Sequence, residues 1–227
     1  MNNSYWDRNI EECGRFYLGT SHSGETLNGP KWFSDVYKKS IGRHEARLMG
    51  IRYALTRDFI RRRVSAGTTA VDVGCGTGVI TLELLKSGAQ VIAVDFAPRA
   101  LELTQELVAR ELPESGDRLT VRQLDIQVEA IPECDLFLAM GVTPYLPSME
   151  TFFHNTLPHS SHGFVSFVDQ RHWANQLRRK LPALNVRNLQ FFDSSEVKAL
   201  WTQFGFQLIT STSLGTGYVQ EAQRIRA

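Results

Sequence analysis

The chain has 227 residues, of which 42% are hydrophobic and 22% are charged, and this composition is typical of a globular protein with one sizeable core. The formal net charge of +1 excludes a global field that would draw the protein toward nucleic acid or an anionic membrane. The apolar runs are much shorter than the roughly 18 residues of a membrane span, and the first residues lack the basic and apolar regions of a secretory signal, so we expect a cytoplasmic protein.

The first 66 residues are predicted to form a helical cap or lid that belongs to the same domain as residues 67–227. Apolar residues recur at helical spacing in its last part, which predicts an amphipathic helix. This stripe consists of Leu48, Ile51, Leu55 and Phe59. Residues 20–30 are small and polar, which indicates a loop ahead of a short helix near residues 32–39.

From Thr69 onward, short β-branched runs alternate with helical stretches, which predicts a parallel sheet with crossover helices. The predicted strands are Thr69–Val73, Gln90–Asp95, Leu119–Leu124, Cys134–Met140, Gly163–Val168, Phe206–Ser213 and Gly217–Arg224. The predicted helices are Val79–Lys86, Pro98–Arg110, Ser148–Thr156 and one that begins near Asp193 and ends at Gly205. The last two strands are joined by three residues, so we expect them to form an antiparallel hairpin at one edge of the sheet.

The most informative motif is Val71-Asp-Val-Gly-Cys-Gly-Thr-Gly78, in which a buried strand runs into three alternate glycines and then a helix. Glycine permits positive φ and lets a ligand approach the backbone closely, so the loop predicts a nucleotide-type ligand at the carboxyl ends of the strands. Val79 stands where a dinucleotide-binding loop has its last glycine, and no Lys-Ser or Lys-Thr follows. These departures make NAD and nucleoside triphosphates less suitable ligands.

With these residues the chain resembles the class I S-adenosylmethionine-dependent methyltransferases, because Asp72-Val-Gly-Cys-Gly-Thr-Gly78 matches their first motif. The resemblance continues through Asp95 at the end of strand 2, Asp125 after strand 3 and Asp135–Met140 as strand 4. It implies an α/β fold with a seven-stranded, mostly parallel Rossmann-like sheet, helices on both faces, an antiparallel terminal hairpin and an N-terminal helical cap. It also implies S-adenosylmethionine as the cofactor and S-adenosylhomocysteine as its product.

Each cofactor-site residue that the resemblance implies has a matching chemistry. Asp95 can accept hydrogen bonds from the ribose hydroxyls, Phe96 offers an apolar face to adenine, and Asp125 can accept from the adenine amino group. Ile126 supplies a backbone N–H and an apolar wall, and Asp72 organises the loop or the cofactor's ammonium group. The full set is Asp72, Gly74, Cys75, Gly76, Asp95, Phe96, Asp125, Ile126 and Met140. A core packing role remains the alternative for Phe96 and a purely structural turn role for Asp72, and Cys75 is expected to contribute its backbone rather than a nucleophile.

The acceptor side is less defined, because methyl transfer depends mainly on positioning and a general base is optional. The candidates are Tyr37 in the aromatic lid segment, Tyr145 in the loop after strand 4, His172 after strand 5 and His44 in the N-terminal helical region. Ordinary packing or surface roles are open for all four. No histidine or cysteine spacing is typical of a metal site, so no metal is expected.

Three functions remain open from the sequence. The first is methylation of an oxygen or nitrogen of a small molecule. Residues 171–192 resemble the strand 5 insertion of tetrapyrrole and other small-molecule methyltransferases, which implies a positively charged pocket wall and an acidic acceptor, with a solvent-facing role as the alternative for Arg178 and Arg179. The second is nucleic-acid methylation, motivated by seven arginines in one predicted helical stretch. These are Arg43, Arg47, Arg52, Arg57, Arg61, Arg62 and Arg63. The third is a non-catalytic cofactor-binding subunit, and the oligomeric state is undetermined.

Overall fold

A computed structural model describes residues 42–180 and 189–225. Its strands are β1 (Thr69–Val73), β2 (Gln90–Asp95), β3 (Leu119–Gln123), β4 (Cys134–Ala139), β5 (Ser160–Val168), β6 (Phe206–Ser213) and β7 (Gly217–Arg224). Its helices are α1 (Gly42–Arg63), α2 (Val79–Lys86), α3 (Pro98–Glu111), α4 (Met149–Thr156), α5 (Trp173–Lys180) and α6 (Ser194–Gln203).

All seven strands form one sheet in the order β3-β2-β1-β4-β5-β7-β6. The pairs from β3 to β5 are parallel, whereas β7 runs antiparallel to both β5 and β6. Both the mostly parallel sheet and the terminal hairpin are therefore confirmed. The strand order reverses between β1 and β4, and in open α/β sheets ligands bind at such a reversal, outside the carboxyl ends of the strands.

The core lies on both faces of the sheet. On one face, Phe137 of β4 packs with Phe153 and Trp201 of α4 and α6, and all three are fully buried. On the other face, the ring of Phe59 in α1 stacks on Phe164 of β5 with centroids 4.3 Å apart. Of the predicted apolar stripe of α1, Phe59 is thus buried against the sheet and Leu55 packs partly against the same core, whereas Ile51 is 40% exposed.

A buried ion pair fastens α1 to the antiparallel edge of the sheet. The carboxylate of Glu221 in β7 is completely buried and accepts hydrogen bonds from Arg62 at 3.1 Å and from Arg63 at 2.8 Å. A buried carboxylate must be paired, because leaving it without a partner in the core costs several kcal/mol. Two of the arginines at the end of α1 therefore have a structural role.

Two elements differ most from the sequence prediction, and several others differ by one or two residues at an end. Helix α5 was not predicted, because its one fully buried residue is the polar Asn175 and it has no inward apolar stripe. Strand β5 begins at Ser160 rather than Gly163, because its first residues are polar and do not read as a buried strand.

Within the described ranges, no helix has both the length and the apolar character of a membrane span.

Candidate functional site

The glycine loop after β1 leaves an open space beside the backbone of Gly76. Gly74, Gly76 and Gly78 all have positive φ, between +58° and +80°. A Cβ on Gly78 would come within 2.8 Å of the Cα of Thr104, so this glycine is required for packing against α3. A Cβ on Gly76 would meet nothing closer than 3.9 Å, so it would project into the space that a ligand needs.

Asp95, at the end of β2, holds this loop in place. Its carboxylate accepts the N–H of Gly76 at 3.1 Å and the N–H of Ala97 at 3.0 Å, and the residue is 7% exposed. Burial raises the pKa of Asp95, while the hydrogen bonds from Ala97 and Gly76 oppose that rise. The carboxylate thus lies directly against the loop, where its remaining lone pairs can accept from a ligand hydroxyl.

Asp72 lies beneath the loop and is 1% exposed. Its carboxylate accepts the hydroxyl of Thr81 in α2 at 2.7 Å. Burial raises the pKa of Asp72 to about 6, and the neighbouring charge of Asp95 adds to this rise. Two roles were predicted for Asp72, organisation of the loop and binding of the cofactor's ammonium group. Its hydrogen bond into α2 favours the first.

Cys75 and Thr104 connect the loop to α3. The thiol of Cys75 is buried with Ala93 and Leu101, and burial raises its pKa well above the usual value. A thiol in this environment stays protonated and is a poor nucleophile. The hydroxyl of Thr104 lies 3.2 Å from the carbonyl oxygen of Gly76 and 3.4 Å from the Cys75 sulfur.

Sequence reasoning missed Thr81 and Thr104, although both hold parts of the loop. Each is a fully buried threonine in a helix that is otherwise apolar on its inner face. A buried hydroxyl needs a hydrogen-bond partner. A threonine within the apolar face of each helix could therefore have indicated this role from the sequence.

The next part of the site follows β3. Asp125 is half-buried, and its carboxylate accepts the N–H of Gln127 at 2.9 Å. The side chain of Ile126 is 5% exposed and packs into the core, and its carbonyl accepts Asn155 at 2.9 Å. Phe96 is half-buried against the first turns of α3, beside Ala97 and Ala100. These residues follow neighbouring strands at the same edge of the sheet.

The loop after β4 forms the opposite side of the site. Met140 is 5% exposed, and Gly141 has a φ of +91° and donates its N–H to the hydroxyl of Ser166 at 2.8 Å. Tyr145 ends a short 3-10 helix and is half-buried. The loop is therefore anchored to β5, with Tyr145 held partly accessible.

His172 lies directly before α5. Its ring Nδ1 accepts the N–H of Ala174 at 3.3 Å, and its carbonyl accepts the N–H of Asn175 at 3.0 Å. While Nδ1 accepts this hydrogen bond, the neutral ring carries its proton on Nε2, which is then a donor and not a base. His44 is within α1, but its side chain is outside what the structure describes, and Tyr37 lies outside the described residues altogether.

Comparisons with known proteins agree with this geometry. A family model for a methyltransferase domain matches residues 71–163, from β1 into β5. The fold is similar to that of magnesium protoporphyrin IX methyltransferase from Synechocystis PCC 6803 with bound SAH, with a TM-score of 0.73 and 15% identity over 98% of this chain and 97% of that one. Residues 71–163 thus match a methyltransferase domain, and the fold around them is that of a known methyltransferase structure.

Curated relatives of this chain are named for different acceptors. A ribosomal RNA small subunit methyltransferase A of Leifsonia xyli is 34% identical over 134 residues, which are 56% of this chain and 47% of that enzyme. A ubiquinone biosynthesis O-methyltransferase of Chromobacterium violaceum is 26% identical over 179 residues, which are 71% of this chain and 74% of that enzyme. The match thus spans about half the length of the first relative.

The residues present fit S-adenosylmethionine as the cofactor. Gly76 leaves a cradle that a Cβ would fill, and the buried carboxylate of Asp95 adjoins it. Asp125 follows the adjacent strand at the same edge. In the part of the chain that the structure describes, no group of three His, Cys, Asp or Glu side chains is arranged as a metal site.

Proposed function

We propose that this protein transfers a methyl group from S-adenosylmethionine to an oxygen or nitrogen of a small molecule. The observation that carries the proposal is the open cradle at Gly76, with its N–H held by the buried Asp95. In this proposal, Asp95 accepts from the ribose hydroxyls, Asp125 accepts from the adenine amino group, and the half-buried Phe96 lies along the ring.

The cofactor supplies an electrophilic methyl group on a sulfonium. The protein's part is then to align the acceptor with that methyl group and to exclude water, which accounts for most of the rate enhancement. Tyr145, on the loop anchored to β5, is the residue that we propose to contact the acceptor. His172 acts in this proposal as a hydrogen-bond donor through Nε2, because its Nδ1 caps α5.

The ion pairs of three arginines in α1 favour a small acceptor over nucleic acid. Arg57 pairs with Glu83 at 2.8 Å, and both Arg62 and Arg63 bind the buried Glu221. Side chains that are committed to such pairs contribute less to phosphate binding. The similarity to a ribosomal RNA methyltransferase keeps RNA as the second candidate acceptor.

Residues 1–66 remain proposed as a cap over the acceptor, and residues 67–227 as the core. The buried Phe59 and Ile60 of α1 share the core of the sheet, which supports one common domain. The cap proposal predicts that binding of the cofactor product slows hydrogen exchange in residues 15–40.

Titration calorimetry with S-adenosylhomocysteine tests the cofactor site, and a methyl-release assay with small acceptors or with RNA tests turnover. Gly76→Ala should abolish binding, since the added methyl enters the cradle. Gly205→Ala is the matched control, because Gly205 also has positive φ, +76°, and open space around its Cβ position. Equal affinity in Gly76→Ala and the parent would contradict the proposed site, and cofactor binding without methyl release to any acceptor would favour a non-catalytic subunit.

A further inference from the structure

A side-chain amide joins the turn after β3 to the loop after β4, residues 140–148, which we call the acceptor loop. Nε2 of Gln127 donates to the carbonyl oxygen of Ser148 at 3.0 Å, and Oε1 of Gln127 accepts the N–H of Ser148, also at 3.0 Å. Two hydrogen bonds between one amide and one residue fix the orientation of the contact as well as its distance. Ser148 in turn caps the start of α4, because its hydroxyl accepts the N–H of Thr151 at 3.1 Å.

The turn that carries Gln127 is organised by Asp125, the residue proposed to bind the adenine amino group. Oδ1 of Asp125 accepts the N–H of Gln127 at 2.9 Å. The carbonyl oxygen of Asp125 accepts the N–H groups of Val128 at 2.8 Å and of Glu129 at 3.0 Å. We call residues 125–129 the adenine-side turn. One oxygen of the Asp125 carboxylate is thus engaged with this turn, and the other can accept from a ligand amino group.

The acceptor loop is attached to its surroundings on both sides of Tyr145. Before Tyr145, the hydroxyl of Thr143 donates to the carbonyl oxygen of Ser166 at 2.6 Å. The carbonyl oxygen of Pro144 accepts the N–H of Gln190 at 2.7 Å. After Tyr145, the loop is held through the amide of the adenine-side turn. The place of Tyr145 therefore depends on contacts from both ends of the loop.

Other contacts hold the same segments to the fold without this amide. Asn155 in α4 is 8% exposed and donates to the carbonyl oxygen of Ile126 at 2.9 Å. In the acceptor loop, a methyl group of Val142 occupies the place that a Cβ on Gly74 would take. Neither contact involves the side chain of Gln127, which is itself half-buried. Shortening that side chain should therefore leave the fold intact and remove only the directional link between the two segments.

We propose that Gln127 is a positioning residue that couples cofactor binding to the order of the acceptor loop. The inference rests on the proposed function, because that function places adenine at Asp125 and the acceptor at Tyr145. An adenine amino group on Asp125 fixes the adenine-side turn, and the Gln127 amide then holds Ser148, so the acceptor loop becomes ordered. Linkage makes the coupling reciprocal, so ordering of the loop strengthens cofactor binding by the same factor.

Hydrogen exchange of the full chain, with and without S-adenosylhomocysteine, measures this coupling. In the parent, the ligand should slow exchange of the N–H groups of residues 140–148 by about three- to tenfold, the scale of one or two net hydrogen bonds. It should also slow exchange in the glycine loop, residues 74–79. In Gln127→Ala, the slowing in residues 140–148 should be lost, whereas the slowing in residues 74–79 should remain. A merely structural role would not separate these two regions.

Two further variants control for side-chain size and for general effects of a lost glutamine. Gln127→Glu keeps the length of the side chain and an oxygen for the N–H of Ser148, but its carboxylate cannot donate to the Ser148 carbonyl. It should behave as Gln127→Ala does. Gln207→Ala removes an exposed glutamine of β6, the outermost strand of the sheet, and should match the parent. Urea denaturation checks that each variant is folded.

Calorimetry with S-adenosylhomocysteine tests whether the coupling runs through the adenine-side turn. Gln127→Ala should weaken binding by about three- to tenfold, because the coupling is reciprocal. In an Asp125→Ala background, the same substitution should add less than about twofold, since the adenine contact that it transmits is already absent. Fully additive effects would place the role of Gln127 outside this route and would overturn the inference.

The outcomes separate this inference from the function on which it rests. If the parent binds S-adenosylhomocysteine and exchange in the acceptor loop slows equally in the parent and in both Gln127 variants, the coupling is wrong and the cofactor site stands. The same conclusion follows if binding leaves exchange in the parent's acceptor loop unchanged. If the parent fails to bind S-adenosylhomocysteine, the proposed function itself is wrong.

Discussion

Replacing Asp72 with asparagine removes a carboxylate that the fold holds in an unfavourable environment. Burial raises its pKa from 3.8 to about 6, so the folded state binds this proton more tightly than the unfolded state does. Stability from this group is therefore fully present below pH 3.8 and is lost as the pH rises through about 6. From about pH 4.5 to about pH 7.5, linkage predicts a loss of about 2 kcal/mol in the parent.

Asp72→Asn should lack this loss, since the amide does not titrate and its oxygen can still accept the hydroxyl of Thr81. Urea denaturation at both pH values measures the free energy of unfolding of each protein. Asp95 is present in both proteins, so the difference between them measures Asp72 together with its electrostatic effect on Asp95. Asp117→Asn, at an exposed residue, is the control and should follow the parent. If Asp72→Asn lost as much stability as the parent over this range, the raised pKa of the Asp72 carboxyl group would be refuted.

Three further substitutions test the loop and the α1 anchor. Asp95→Ala should weaken S-adenosylhomocysteine binding by about 1.5–3 kcal/mol in calorimetry, through loss of charge-assisted hydrogen bonds, and unchanged affinity would exclude Asp95 from the site. Thr104→Val should weaken the same binding by about 1 kcal/mol, because the carbonyl of Gly76 loses its donor, and Thr104→Ser should restore it. Replacing both Arg62 and Arg63 with alanine should lower the free energy of unfolding by about 3–5 kcal/mol, more than Glu221→Ala does. The partly exposed arginines can turn to water whereas the buried carboxylate cannot, so equal losses in urea denaturation would contradict that asymmetry.

The local pattern of the sequence determined the sheet and the place of the cofactor loop. Strands β1, β2, β6 and β7 and helix α2 have the predicted bounds. Their signals are local, since a buried strand is a short apolar run and a glycine with positive φ marks a turn. The three glycines after β1 accordingly have positive φ and lie at the carboxyl edge of the sheet.

The tertiary structure decided which side chains face the site and which face the core. In the sequence, Asp72 and Asp95 are both acidic residues near the end of a strand. Only the packing of α2 places the carboxylate of Asp72 against the hydroxyl of Thr81. The partners Arg63 and Glu221 are 158 residues apart, so no local pattern relates them.

Helix α5 shows the same limit of local reasoning. Its buried residue is Asn175, which is stable there because two distant carbonyl groups accept from its amide. Hydrophobic periodicity in a sequence indicates burial only where the buried residues are apolar. A polar residue that is buried through hydrogen bonds to distant segments does not produce such a periodicity. The sequence therefore determined the sheet and its glycine loop, whereas only the assembled fold produced α5 and the buried pairing of Glu221.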